Sequence, residues 1–500
     1  MKNYVLALDQ GTSSSRAVVF DYEGREVASA SQELRQHYPR PGWVEQDPRE
    51  ILESQIATAR KAIGRARLSV QDIGAIGIAN QRETTIVWDR ASGRPLYNAV
   101  VWQDRRTAPL CDELKSRGLA DRVQWETGLL IDPYFSATKT RWILDHIEGA
   151  RNAAAAGNLA FGTVDSWLIW NLTGGQRHVT DRSNASRTML YSLRSESWHD
   201  GLLRDLDIPS SVLPEVLPSA ASFGETRADI FGAPLPIRGV AGDQQAALFG
   251  QTCTRPGEAK NTYGTGSFAL MFTGERCVES RRGLISTAAA DGNGGRGFAI
   301  EGSIFTTGSA VKWLRDGLGI IKTAADVETL AGSVLDSDGV FVVPAFAGLG
   351  APHWDPYARG AIVGLSGGST GGHIARATLE AIALQVCDVV ELMEDESGFR
   401  FGELRVDGAA AANSLLLQIQ ADLLGKPVVR PSYLETTALG AAYLAGISAG
   451  IWKDSDELRG RWRVDRRFEP TITGVRRKAL RSGWKRAVKR ALRWSNEEAG

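Results

Sequence analysis

Apolar runs of four residues, too short for helices, flank two small loops rich in glycine and hydroxyls that stand some 250 residues apart. In the first copy Val5-Leu6-Ala7-Leu8 precedes Asp9-Gln10-Gly11-Thr12-Ser13-Ser14-Ser15-Arg16, and Ala17-Val18-Val19-Phe20 follows it. A turn at Tyr22-Glu23-Gly24-Arg25 then leads into a further β-type run over 26–30, so the pattern predicts strand, loop, strand. The second copy, Tyr263-Gly264-Thr265-Gly266-Ser267, sits inside a strand-loop-strand pattern over 258–272. A Walker loop or a dinucleotide fingerprint needs a helix directly after its glycines, and neither loop has one. Phosphate would instead be held by close backbone approach at glycine and by exposed N–H and hydroxyl donors.

Between the loops the periodicity alternates. Residues 73–79, 84–88 and 98–102 read as strands, 107–117 as an amphipathic helix, and 237–241 as a strand entering a helix at 244–249. The second half repeats the order, with a strand at 404–406 running through Asp407-Gly408 into a helical stretch over 409–424. Two related α/β domains with a cleft between them are expected. Arg255-Pro256-Gly257 marks the boundary, giving domains of 1–252 and 253–500. The last stretch, 476–493, holds nine basic residues and no acidic one, with Leu480, Trp484, Val488 and Leu492 near helical spacing. It reads first as a solvated amphipathic helix packed on the second domain, ahead of a nucleic-acid or membrane contact.

Composition narrows the class. Lys plus Arg equals Asp plus Glu at 58 each, so no global field favours nucleic acid or an anionic membrane. Cys111, Cys253, Cys277 and Cys387 are scattered without metal spacing, which predicts apolar filler in a reducing cytoplasm. No secretion signal or bilayer-length apolar segment is read, so membrane insertion is not expected. His353 and His373 lack partners at metal spacing.

Phosphoryl transfer needs donors and a metal for the phosphates and a carboxylate for the acceptor. Asp9 ends the first strand beside the hydroxyl loop, where it could bind Mg2+ directly or through water. Asp243, in Gly242-Asp243-Gln244, ends another strand at a helix mouth, where a carboxylate could face the cleft; taken alone it reads first as an ordinary helix cap. Arg82-Glu83 follow a strand and taken alone form a solvent ion pair, while Trp102 and Tyr134 could be core aromatics.

Together the segments DQGTSSSRAVVF, YPRPGWVEQDP, NQRETTIVWDR, YNAVVWQDRRT, IDPYFSATKTRWILDH, AGDQQAALFGQ, AKNTYGTGSF, FAGLGAPHWDPYARGAIVGL and TALGAAYLAG resemble the FGGY family of sugar kinases, over almost the whole chain. The strings favour its glycerol-phosphorylating branch. The resemblance implies two ribonuclease H-like domains of the actin and hexokinase type around an interdomain cleft. It implies a glycerol site in the first domain, nucleotide binding in the second, Mg-ATP as donor, ADP as product, and a homo-oligomer, dimer or tetramer. Carried over by position, Arg82, Glu83, Trp102, Tyr134, Asp243, Gln244 and Phe268 would bind glycerol, with Asp243 as base and Asp9 at the metal. Thr12, Ser13, Ser14 and Arg16 would meet nucleotide phosphates from one side, Thr265 and Gly308 from the other, and Asn413 would approach adenosine. Closure of the domains would exclude water.

Two positions depart from the family pattern. Ala409 stands where a second glycine is usual, and Lys312 where glutamine is common, both toward the nucleotide. The stretch 231–236 also lacks the glycines and arginine with which some bacterial members bind a phosphorylated sugar effector, so that inhibition is not expected. A kinase for another polyol or ketose is the alternative. An actin-like chaperone or filament ATPase would leave Arg82, Glu83 and Asp243 without a task.

Overall fold

The computed structural model describes residues 3–292 and 294–496. Six strands form the first sheet: β1 (Tyr4–Gln10), β2 (Ser14–Phe20), β3 (Glu26–Glu33), β4 (Ile73–Asn80), β5 (Ala220–Glu225) and β6 (Pro236–Gly242), in the order β5-β6-β4-β1-β2-β3. The meander β1-β2-β3 is antiparallel, and β4 and β6 then join β1 in parallel. The second sheet holds β7 (Ala259–Tyr263), β8 (Ser267–Gly274), β9 (Ile285–Ala288), β10 (Phe298–Ile304), β11 (Leu404–Asp407), β12 (Val428–Pro431) and β13 (Val464–Phe468). Its order is β9-β10-β8-β7-β11-β12-β13, again an antiparallel meander followed by two parallel strands. Both are ribonuclease H-like sheets with extra edge strands. The repeated loops occupy the first turn of each meander, where Gly11 N donates to Ser14 O (2.9 Å) and Gly264 N to Gly266 O (2.8 Å).

Two helices join the halves. α1 (Asp243–Gly250) leaves β6, and α2 (Thr436–Ser448) lies against both α1 and the first sheet, although it comes late in the chain. Glycine makes this approach possible, since a methyl at Gly440 would stand 1.8 Å from Ala246 O and one at Gly77 2.1 Å from Ala441 O. Val5, Ala7, Val18, Ala75 and Ala241 of the first half share one core with Ala441, Ala442 and Leu444 of the second. The two sheets are therefore separate in sequence but bound together by a helix that belongs to one and covers the other.

The expected strand at 98–102 contracts to Ala99–Val100, because its ladder runs along the two-residue strand Glu45–Gln46 and on the other side it makes an isolated bridge from Val100 to Thr85. That expected at 84–88 begins two residues later, as Ile86–Asp89. The basic stretch forms a helix, Gly474–Ala491, that buries Trp484, Ala487 and Val488, with Trp484 Nε1 donating to Asp388 (2.6 Å). Arg476 pairs with Asp336 and Arg481 with Asp388, so part of its charge is answered within the fold.

One buried titratable group gives a stability prediction. His178 lies edge-on to Trp88, its Nε2 2.8 Å from Phe161 O and its Nδ1 3.0 Å from Arg90. Burial, with Arg90 as a lesser cause, pulls the imidazole down to about 4. Between that value and the free histidine range near pH 6.5 the unfolded chain binds the extra proton, so stability is full above the window and falls as pH drops through it. The expected slope is about 1.4 kcal/mol per pH unit. Denaturant unfolding of His178→Gln from pH 7 to 4 should show a flatter acid limb than wild type; equal slopes would remove His178 from the acid response.

Candidate active site

The end of β4 turns sharply into Asn80-Gln81-Arg82-Glu83. Glu83 takes a left-handed φ of +62°, which is uncommon for a side chain of this size. The turn carries Arg82 and Glu83 inward, where both are about 2 % exposed. Arg82 is held from three directions. Its Nη1 and Nη2 donate to Glu301 Oε2 and Oε1 of β10 at 2.6 and 3.1 Å, Nη1 also reaches Gln245 (3.2 Å), and Nε lies 3.1 Å from Asp243 Oδ1. A second guanidinium, Arg187, gives Nε to Glu83 Oε1 (2.6 Å) and Nη2 to Glu301 Oε1 (3.0 Å). Two arginines and two carboxylates from the two halves thus alternate in a buried square. The guanidiniums hold Glu301 down at about 2 despite burial, whereas burial of Glu83 raises its carboxyl.

Around this square stand the other residues of the expected polyol site. Trp102 and Tyr134 meet edge to face at 5.6 Å, Arg187 lies over the Tyr134 ring at 5.6 Å, and Arg82 lies over Phe268 at 5.8 Å. Lys139 fixes the Tyr134 loop by donating to three successive carbonyls, Pro133, Tyr134 and Phe135, at 3.0, 2.5 and 3.0 Å. Gln244 is held by Lys260, whose Nζ donates to Gln244 Oε1 (2.6 Å) and which burial lowers to about 8. Asp243 opens α1. Its Oδ1 accepts from Gln244 N (2.8 Å) and Arg82 Nε, Gln244 Nε2 lies 3.2 Å from Oδ2, and the side chain is 31 % exposed.

On the side expected to take phosphate, the first loop is partly occupied by its own neighbours. Trp102 Nε1 donates to Thr12 Oγ1 (2.8 Å), which leaves the Thr12 hydroxyl hydrogen free to be given away. Leu34 N caps Ser13 O (2.9 Å), and Ser14 and Arg16 line a cavity of about 370 Å³ with Asp9, Gly11, Ser31 and Glu435. Arg16 pairs with Glu435 at 2.7 Å, a contact between the halves. Burial, with Glu435 and Asp243 adding to it against Arg16, raises the Asp9 carboxyl to about 7. On the other side Gly308 N donates to Gly264 O (3.0 Å) and Thr307 N to Thr265 O (3.0 Å), seating the second loop on the helix α3 (Gly308–Asp316). Asn413 caps the helix Ser414–Leu424 through its Oδ1 at Leu416 N (2.8 Å), a bond that does not use its amide nitrogen.

The glutamate and arginine that complete the buried square were not legible as site residues. Glu301 did leave a trace, a lone carboxylate in the seven-residue run FAIEGSI. Arg187 left none.

Two family models match the chain, the FGGY family of carbohydrate kinases N-terminal domain over residues 4–250 and the C-terminal domain over 259–449. The chain belongs to the FGGY family of carbohydrate kinases. Within it, the chain is 59 % identical over 491 residues to glycerol kinase 2 of Thermotoga maritima, covering 98 % of this chain and 99 % of that one. It is 60 % identical over 485 residues to glycerol kinase of Ralstonia nicotianae, covering 97 % of each. The solved structure of Plasmodium falciparum glycerol kinase with ADP superimposes with a TM-score of 0.92 at 36 % identity, over 98 % of each chain. Gluconate kinase of Lactobacillus acidophilus, at 20 % identity and a TM-score of 0.85, shares the FGGY fold. Among the described residues no helix is long and apolar enough to cross a membrane.

The two departures from the FGGY pattern are both exposed. Ala409 begins the turn Ala409–Ala412, after Gly408 in the left-handed region (φ +84°), and Lys312 projects from α3 near Asp316. Ala409→Gly is expected to tighten ADP binding by removing a methyl from the backbone's approach. Lys312→Gln is expected to weaken it and to reduce its dependence on salt. Titrating ADP into wild type and both variants at two ionic strengths checks this, and unchanged affinity in both would separate these positions from the nucleotide.

Proposed function

We propose that the chain transfers the γ-phosphoryl group of ATP to a terminal hydroxyl of glycerol, forming sn-glycerol 3-phosphate, with Asp243 as general base. The observation that carries this is the asymmetry of Asp243: Oδ1 is held by the charged Arg82 Nε and by Gln244 N, while Oδ2 meets the neutral Gln244 side-chain amide at 3.2 Å and the side chain is 31 % exposed. A base held firmly through one oxygen and lightly through the other offers the second to a hydroxyl proton in a single orientation. Arg82, Glu83, Tyr134 and Gln244 supply donors and acceptors for a triol, and Trp102 and Phe268 bound its carbon edge. A ligand lacking one hydroxyl would leave buried polar groups unanswered, which is costly. We place the polyol and one phosphate loop in residues 1–252 and the nucleotide chiefly in 253–500, with Asn413 toward adenosine.

The Asp9 surroundings suit Mg2+. Its carboxyl, Glu435 and Asp243 bring more negative charge together than Arg16 answers, and a cation arriving with the nucleotide would relieve this. Among the described residues no group of three or more His, Cys, Asp or Glu could hold a metal, so Asp9 would share the ion with phosphate oxygens and water. When bound, Mg2+ would neutralise phosphate charge. The protein's own contribution is positional: Ser14, Arg16 and Thr265 fix the phosphates, and Asp243 accepts the proton as the hydroxyl attacks. All four cysteines are free, which suits our reading of a cytoplasmic enzyme.

A coupled assay of ADP release with glycerol, other polyols and ketoses decides the matter. Release that depends on glycerol and falls away with the others is the expected result; ATP turnover indifferent to every polyol would overturn the reading.

A further inference from the structure

Glu301 touches neither pocket surface nor solvent, yet both of its oxygens serve guanidiniums of the other half: Oε2 and Oε1 accept from Arg82, and Oε1 also accepts from Arg187. It stands on β10, which is hydrogen-bonded on one side to β8 and on the other to β9. Three residues further along, Ile304 pairs with Ser267 at the end of the second phosphate loop, and a methyl on Gly266 would meet Ile304 O at 2.4 Å. Beyond the strand, Thr307 N donates to Thr265 O (3.0 Å), its hydroxyl meets Ser267 Oγ (2.8 Å), and Gly308 N donates to Gly264 O (3.0 Å). One short strand therefore ends at the loop expected to meet nucleotide phosphate and carries, within itself, the carboxylate that sets Arg82.

From this juxtaposition we propose that Glu301 is the positioning residue through which nucleotide and polyol sense each other. The inference rests on the functional reading above. A strand bonded on both edges transmits a displacement rather than absorbing it. Phosphate settling between Thr265 and Gly308 fixes the loop, the loop fixes the end of β10, and Glu301 then holds Arg82 in the arrangement that also orients Asp243. Linkage makes the effect mutual, so glycerol must tighten nucleotide by the same factor as nucleotide tightens glycerol. Because Glu301 is fully buried, it acts without touching either substrate.

The test is a binding cycle by calorimetry on the full chain: glycerol with and without saturating Mg-ADP, and Mg-ADP with and without saturating glycerol. Wild type is expected to show the same enhancement in both directions, of about 5-fold or more. In Glu301→Gln, where an amide donor faces the guanidiniums, the factor should fall to within about twofold of unity while Mg-ADP alone binds as in wild type. Glu301→Asp keeps the charge but draws it back by one methylene, and should fall between. Enhancement that survives undiminished in both variants, or none in wild type, overturns the proposal. Loss of Mg-ADP binding itself in both variants also overturns it, since Glu301 would then be scaffold. Wild type that binds Mg-ADP but never glycerol fails the functional reading instead, and the inference with it.

Discussion

Asp243→Asn is expected to lower kcat by roughly 10² to 10⁴-fold, the usual worth of a positioned general base, while glycerol continues to bind. Asparagine preserves the shape of the site. Its carbonyl oxygen can still accept from Gln244 N at the place where Asp243 Oδ1 does so at 2.8 Å, and from Arg82 Nε at 3.1 Å. What changes is the other position, where an amide N–H₂ replaces the oxygen proposed to take the proton. The hydroxyl can then be held but not deprotonated. Steady-state rates from coupled ADP release, set beside a calorimetric glycerol titration, check the split between turnover and binding. Activity above about a third of wild type lies far outside the range for a base and would assign the proton to another group. A matching loss of glycerol affinity would instead make Asp243 a binding residue.

The parts of this architecture that show in the sequence are those in which one element's pattern is decided locally. The meander strands announce themselves because short apolar runs are interrupted by turn chemistry, and both loops fall where the periodicity breaks. Asp9 and Asp243 could be singled out because each stands where an apolar strand pattern gives way, Asp9 to the hydroxyl loop and Asp243 to a helix. The placement of α2 could not be read. Its sequence TTALGAAYLAGIS is buried on nearly every side, so it has no polar face to say which sheet it lies on, and it crosses to the first half. The partners of Arg82 were hidden for a related reason. Glu301 is 219 residues away, and only the folding of two sheets against α1 brings it within 2.6 Å. A charged dipeptide after a strand looks solvated until such a partner is found, and here the two residues are among the most deeply enclosed charges of the site.

Arg82→Ala tests that enclosure, and two losses are expected together. Glycerol binding loses a charged donor, a change of about 1.5 to 3 kcal/mol that corresponds to roughly a 10- to 150-fold rise in KM. Stability falls too, because Glu301 keeps only Arg187 as a guanidinium partner after the bidentate pair at 2.6 and 3.1 Å is removed. Breaking a buried pair from one side costs about 3 to 5 kcal/mol, and unfolding in denaturant should show it. The KM for ATP should move far less, since the proposed function puts Arg82 in the polyol pocket. Arg82→Lys separates charge from geometry. A lysine ammonium is a single point and cannot grip both oxygens of Glu301 while also holding Asp243 Oδ1, so kcat should fall along with glycerol affinity. If charge alone sufficed, the lysine variant would keep wild-type kcat, and the orienting role of Arg82 on the base would be wrong. Equal rises in both Michaelis constants for the alanine variant would move Arg82 out of the polyol pocket and into the scaffold.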